Sequence, residues 1–143
     1  MKILPILSMA ICMGLSCAAE ARELMHVVER AETDAVVDTG AKDDSPGDLL
    51  TFANPVFDAA NRTQVGTDQG FCVRTVVGVA WECWWTMSVA GGQLTVQGPF
   101  LDKGDSVMAI TGGTGKYVNA RGQMKLHSRN EKGTEFDFIY EIE

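Results

Sequence analysis

From residue 24 to the C-terminus, apolar and polar positions follow one another with the period of two that marks half-buried strands. The stretch 24–30 predicts a first short strand, with Met25, Val27 and Glu29 on one face. Residues 31–46 are polar and acidic and end in Asp43, Asp44, Ser45 and Pro46, which predicts a loop. A partly alternating strand follows over 48–57, with Leu50, Phe52 and Asn54 in phase. A long strand lies within 63–77 and is bent at Gly66 or Gly70. The next strand spans 81–89 and leads into a tight turn at Gly91-Gly92. Residues 93–97 alternate cleanly until Gly98-Pro99 breaks them, and 106–111 form an apolar strand ending in a glycine turn at 112–115. Strands over 117–127 and 135–142 finish the chain, the last with Phe136, Phe138, Tyr140 and Ile142 on one face.

About eight strands joined by short glycine-rich turns, with no amphipathic helix, define an all-β domain. Pattern alone leaves two architectures open: a sandwich, or an antiparallel barrel of about eight strands whose interior is filled or holds one small ligand. The chain of 143 residues suits one such domain with one core.

The first residues carry a different signal. Lys2, an apolar run over 3–15 and Ala19-Glu20-Ala21 have the layout of a secretory leader with its cleavage site. This divides the chain into a signal peptide over 1–21 and a mature domain over 22–143, secreted or periplasmic. Of four cysteines, Cys12 and Cys17 fall in the leader. The pair left behind, Cys72 and Cys83, faces each other across a hairpin centred on Val77-Gly78. Opposed cysteines on antiparallel strands in an oxidising compartment point to a disulfide; two buried thiols are the alternative.

The net charge is −7, and losing Lys2 and Glu20 with the leader leaves it unchanged. No basic run exists, which argues against nucleic acid and, once the leader is gone, against a membrane surface as partner. Two cysteines with the scattered His26 and His127 do not make a metal-ligand set. Thr111-Gly-Gly-Thr-Gly-Lys116 lacks the first glycine of a phosphate loop and the helix that must follow it.

The in-phase residues carry the candidate chemistry. Glu29 stands either at a rim or among apolar neighbours, where desolvation would raise its pKa. Trp81 and Trp85 share the inward face with the cysteines, as a wall for a flat ligand or as plain filling, and Trp84 faces out. Arg74 follows Cys72 in phase. Inward, it would meet Glu29 or a ligand carboxylate; a bulge would turn it outward.

Five blocks then resemble a known family: Gly47-Asp-Leu-Leu-Thr-Phe-Ala-Asn54, Gly70-Phe-Cys-Val73, Leu94-Thr-Val-Gln-Gly-Pro-Phe100, Ala109-Ile-Thr-Gly-Gly-Thr-Gly115 and Gly122-Gln-Met-Lys-Leu126. Their order and spacing are similar to those of the allene oxide cyclases, here as an exported, bacterial-type member, and more loosely to the dirigent proteins. The resemblance implies an antiparallel eight-stranded barrel, a trimer, and a lumen that needs no cofactor. It implies a catalytic site in which Glu29 stabilises developing positive charge, Asn54 holds a water that polarises an oxygen, and Cys72 helps the substrate turn. Leu50, Phe52, Arg74, Trp81, Trp85 and Phe100 would shape the pocket. Two polar features of the family pattern are absent: Ala31 stands where a second asparagine is expected, and no Ser-Pro pair occurs over 35–39. The expected function is binding of a small hydrophobic molecule, lipid-like or aromatic, with steering of its isomerisation or cyclisation. A non-catalytic dirigent-like scaffold or binding module is the rival reading.

Overall fold

The computed structural model describes residues 22–143, so the expected leader lies outside the described residues. Nine strands form one antiparallel sheet: β1 (Glu23–Arg30), β2 (Ala35–Val37), β3 (Leu49–Asp58), β4 (Gln64–Val76), β5 (Ala80–Val89), β6 (Gly92–Leu101), β7 (Ser106–Gly115), β8 (Gly122–Ser128) and β9 (Glu135–Ile142). The spatial order is β1-β9-β8-β7-β6-β5-β4-β3-β2, and β1 also pairs with β3. That last pairing closes β1 and β3–β9 into an eight-stranded barrel, which leaves no free edge on those strands. The short β2 is an appendage on β3, inside a segment whose sequence reads as a loop.

Alternation fixes which side chains enter the barrel. On β9, Phe136, Phe138, Tyr140 and Ile142 are buried and every residue between them is less so. On β5, Trp81, Cys83, Trp85 and Met87 point inward, and Trp84 is exposed against Phe71 at 5.5 Å between rings. A slip of one residue would turn every one of these outward, so the pattern pins the register.

Four boundaries differ from the expectation, among them the start of β8, which begins at Gly122 rather than at 117. β6 does not stop at Gly98-Pro99 but runs on to Leu101, with Gly98 opposite Cys83 and Pro99 opposite Glu82. Residues 112–115 are not a turn: they extend β7 and pair with the start of β6, across a register shift at Thr95/Val96. Glycine is needed there because a Cβ on Gly113 would collide with the Gln93 carbonyl and the Tyr117 backbone. The turn itself comes later, over residues 116–119. The hairpin after β5 turns at Ala90-Gly91, one residue earlier than expected.

The interior divides into two parts. Val56, Met87, Leu94, Val96, Met108, Met124 and Tyr140 fill one part and are essentially inaccessible. The other part, toward the ends of β1, β4, β6 and β8, stays open.

Candidate functional site

The open part is a cavity of about 240 Å³. Leu50 and Phe52 of β3, Trp85 of β5, Phe100 of β6, Leu126 of β8 and Phe136 and Phe138 of β9 supply its apolar wall. The aromatic rings brace one another. Trp85 stacks on Phe138 at 5.4 Å and meets Phe52 edge-on at 5.9 Å, and Phe100 meets Phe136 edge-on at 5.9 Å. Gly70 makes room for Trp85: the two are paired across β4 and β5, and a Cβ on Gly70 would collide with the Trp85 Cβ and the Trp84 carbonyl.

Cys72 and Cys83 are paired across the same two strands and joined by a disulfide that lines the cavity. This outcome removes the thiol that the family resemblance would assign to Cys72. The bond presents an immobile apolar surface instead.

Glu29 lies in the cavity wall and is 5% exposed. Asn54, 1% exposed, donates its amide hydrogens to Glu29 Oε1 at 2.6 Å and to Asp34 Oδ1 at 2.8 Å. Its carbonyl oxygen accepts from the backbone N–H of Glu32 and Thr33 and from the Thr33 hydroxyl. Every polar atom of Asn54 is therefore occupied. The residue positions two carboxylates and has no hydrogen left for a water or a ligand oxygen, contrary to the role expected of it. Burial pushes the Glu29 carboxyl up to about 7, against the Asn54 hydrogen bond and with help from the Asp34 charge. A group so placed can hold or release a proton near neutrality.

Arg74 points inward, as its phase requires, and is buried, yet it does not reach Glu29. Its Nε donates to Asp44 at 2.7 Å and its Nη1 to both carboxylate oxygens of Asp102 at 2.7 and 2.9 Å. Its guanidinium lies over the Trp81 ring, 4.1 Å from the centroid. Arg74 and Trp81 belong to a separate recess with Asp38, Asp43, Asp44 and Asp48. Both leave the expected pocket. The reason is nonlocal: the loop between β2 and β3 and the end of β6 bring acidic partners that strand phase does not reveal.

Four residues of the site escaped the sequence reading. Asp34 sits in the β1–β2 loop, where no periodicity exists to reveal it. Leu126, Phe136 and Phe138 were legible as inward positions but carried no chemical signal. Asp68 is a further miss: it lies two steps before Gly70 and four before Cys72, so its phase marks it as inward. It is 1% exposed, and neither of its carboxyl oxygens has a partner. Burial, then the Glu29 charge, pushes its pKa up to about 9. The Trp85 Nε1 and Tyr140 hydroxyl are also without a hydrogen-bond partner, and with Asp68 they make up the buried unpaired side-chain atoms among the described residues. Burial raises the Tyr140 phenol as well, so it stays neutral.

The site is thus an aromatic cavity with a buried carboxyl, set in a closed eight-stranded barrel. Residues 21–130 match the model of the allene oxide cyclase family, and the chain belongs to that family. Solved structures agree on the fold. A pyocyanin demethylase is 24% identical, with a TM-score of 0.71, covering 82% of this chain and 100% of its own. The pterocarpan synthase dirigent protein PsPTS1 is 18% identical, with a TM-score of 0.69, over 87% of this chain and 97% of that one. The Diels Alderase AbmU from Streptomyces koyangensis is 14% identical, with a TM-score of 0.62, over 87% of this chain and 71% of that one.

Proposed function

We propose that this protein is exported and binds one flat, unsaturated small molecule in its lumen, where it steers an isomerisation or cyclisation. The observation that carries the reading is the 240 Å³ aromatic cavity with a buried Glu29 held against it by Asn54. A cavity of this kind confines a flexible molecule to few conformers, and confinement near the reacting geometry accelerates a unimolecular step without any cofactor. Glu29 would be the catalytic residue. Ionised, it stabilises positive charge that develops on the substrate; protonated, it donates to a departing oxygen. Asn54 is a positioning residue, and the disulfide is wall. The structural likeness to a Diels Alderase and a dirigent pterocarpan synthase supports a barrel that guides ring formation. The disulfide is compatible with export after removal of 1–21. The exposed Phe71–Trp84 stack supports a homotrimer contact on the outer wall.

The test is to purify the protein from the compartment it is exported to and identify bound small molecules by native mass spectrometry. A bound planar or polyunsaturated compound, placed in the lumen by a crystal structure, is the expected result. An empty lumen that no member of an aromatic and polyunsaturated panel enters would sink the proposal and leave a protein that acts through its outer surface.

A second reading, a scaffold that binds without catalysing, has its own support: Asn54 offers no free donor to a developing oxyanion. Turnover separates the two. A catalyst loses activity in Glu29→Gln, by an effect of about 2–4 kcal/mol on the barrier; a scaffold shows the same product distribution with either side chain.

A further inference from the structure

We propose that the lumen selects a planar cation: an aromatic molecule of about two fused rings whose nitrogen is protonated or quaternary. The inference rests on the lumen being a ligand site, as proposed above, and adds the charge and size of what enters.

Among the described residues, the ionisable side chains that line the cavity are both carboxyls, Glu29 and Asp34, and no Lys, Arg or His lines it. Asn54 ties those two together through one amide nitrogen, so they act at a single place on the wall. Arg74, the cation that phase directs inward, is taken by Asp44 and Asp102 in another recess. Along the inward face of β4, Gly70 alone separates the lumenal Cys72 from Asp68, a buried carboxyl without a hydrogen-bond partner. The Glu29 charge raises the proton affinity of Asp68, which has no positive partner to offset it. Around this acidic spot stand five aromatic rings, Phe52, Trp85, Phe100, Phe136 and Phe138. Ring faces attract cations, and a box of rings with carboxylates beside it is how proteins recognise quaternary nitrogen. A carboxylate ligand would instead bring a further negative group to a wall without a counter-charge. Size follows from volume. A cavity of about 150 Å³ accepts benzene, so 240 Å³ suits a two-ring molecule.

The charged and titratable groups facing Glu29 are Asp34 from the β1–β2 loop, Asp68 from β4 and Tyr140 from β9. None of them is basic, so the charge preference has one sign. Binding of a cation favours ionised Glu29 and therefore releases a proton when the free protein holds one. Cation affinity must rise with pH through neutrality, and affinity for a neutral isostere must not.

Calorimetry on the disulfide-bonded protein with three probes of matched shape tests this: N-methylquinolinium, 1-methylnaphthalene and 1-naphthoate. At pH 8 the cation should bind roughly tenfold tighter than the neutral hydrocarbon, and 1-naphthoate should show no saturable binding. Lowering the pH to 5.5 should weaken the cation alone. Glu29→Gln and Asp34→Asn should each remove most of the cation preference and leave 1-methylnaphthalene unchanged. Asp34 is exposed, so its variant guards against a folding defect at Glu29. Binding of 1-naphthoate as tight as the cation overturns the charge assignment while the lumenal site stands. So does a cation preference that survives both substitutions. Failure of all three probes to bind removes the lumenal site itself, and this inference with it.

Discussion

The two parts of the barrel interior are built by the same strands and differ in what they do with the space. In the filled part, Met87, Met108 and Met124 join Leu94 and Val96. Methionine has an unbranched, adaptable side chain that closes irregular gaps. In the open part, flat rings meet edge-on or stacked and lock one another at fixed angles. Rigid plates that brace each other cannot collapse, so a void persists between them. The contrast teaches that the cavity follows chiefly from side-chain shape on one barrel, with Gly70 as the backbone position that admits Trp85. Filling confers stability at one end, and rigidity keeps a binding site open at the other.

That comparison predicts unequal costs for truncation. Met124→Ala should lower stability by about 2–5 kcal/mol, since it deletes most of a fully buried side chain. Phe52→Ala removes a larger side chain from a wall that already borders empty space, and should cost only about 1 kcal/mol. Chemical denaturation of both variants checks this. Equal losses would mean that the open part is as tightly integrated as the filled one.

The disulfide comes next in size. It closes a loop with a sequence separation of 11 residues. Replacing Cys72 and Cys83 together by serine should cost about 2–3 kcal/mol and loosen the wall shared by β4 and β5. Hydrogen exchange should then rise in those two strands and stay unchanged in β7 and β8. A uniform rise across the barrel would show that the bond supports the whole fold rather than the open part.

Much of this division was legible in the sequence. Period two placed Phe136, Phe138 and Tyr140 on one face and set Cys72 opposite Cys83, because both rest on local register. The failures share one cause. Arg74 finds Asp44 and Asp102 at sequence distances of 30 and 28, and Asn54 finds Asp34 at 20. Such contacts depend on how loops fold back over the barrel mouth, and no strand pattern encodes that. Glycine at 112–115 was misread for a related reason. It serves close backbone approach inside a strand rather than the freedom of a turn. Asp68 shares the phase of Cys72, and that phase alone marks it as inward.

Two of the buried carboxyls, Asp68 and Glu29, carry the pH behaviour near and above neutrality. Asp68 has its pKa raised to about 9 from an ordinary value near 3.8, so the folded state binds this proton more tightly than the unfolded one. Stability is then greatest below the unfolded value and falls as pH climbs from there through about 9. Asp68→Asn keeps the shape and removes the titration. Relative to the parent it should gain stability on the order of 2 kcal/mol at pH 9 and almost nothing at pH 4. Thermal melts across that range decide it, and parallel curves for the two proteins would show that Asp68 is ionised or solvated at all pH values.

Glu29 should behave in the same direction with a smaller amplitude. Its pKa is raised to about 7 from 4.5, so the proton it holds in the fold is lost through neutrality rather than two units above it. Between pH 4.5 and pH 7 the parent should lose stability on the order of 1 kcal/mol that Glu29→Gln keeps. Glutamine preserves an acceptor for the Asn54 amide at 2.6 Å, so the positioning contact survives and the variant isolates charge from shape. The difference from Asp68 is instructive because Glu29 has what Asp68 lacks: a hydrogen-bond donor and an open cavity beside it. A partner lowers the cost of the ionised form and leaves the carboxyl able to work in either state near neutral pH. NMR titration of the Glu29 side-chain carboxyl gives the decisive reading. A midpoint near 7 that stays in place when Asp68 is replaced by asparagine would show that Asp68 is neutral while Glu29 titrates, as its higher proton affinity requires. A midpoint in the ordinary carboxylate range would mean that water fills the open part well enough to solvate the charge, and Glu29 would then serve as a fixed anion rather than as an acid.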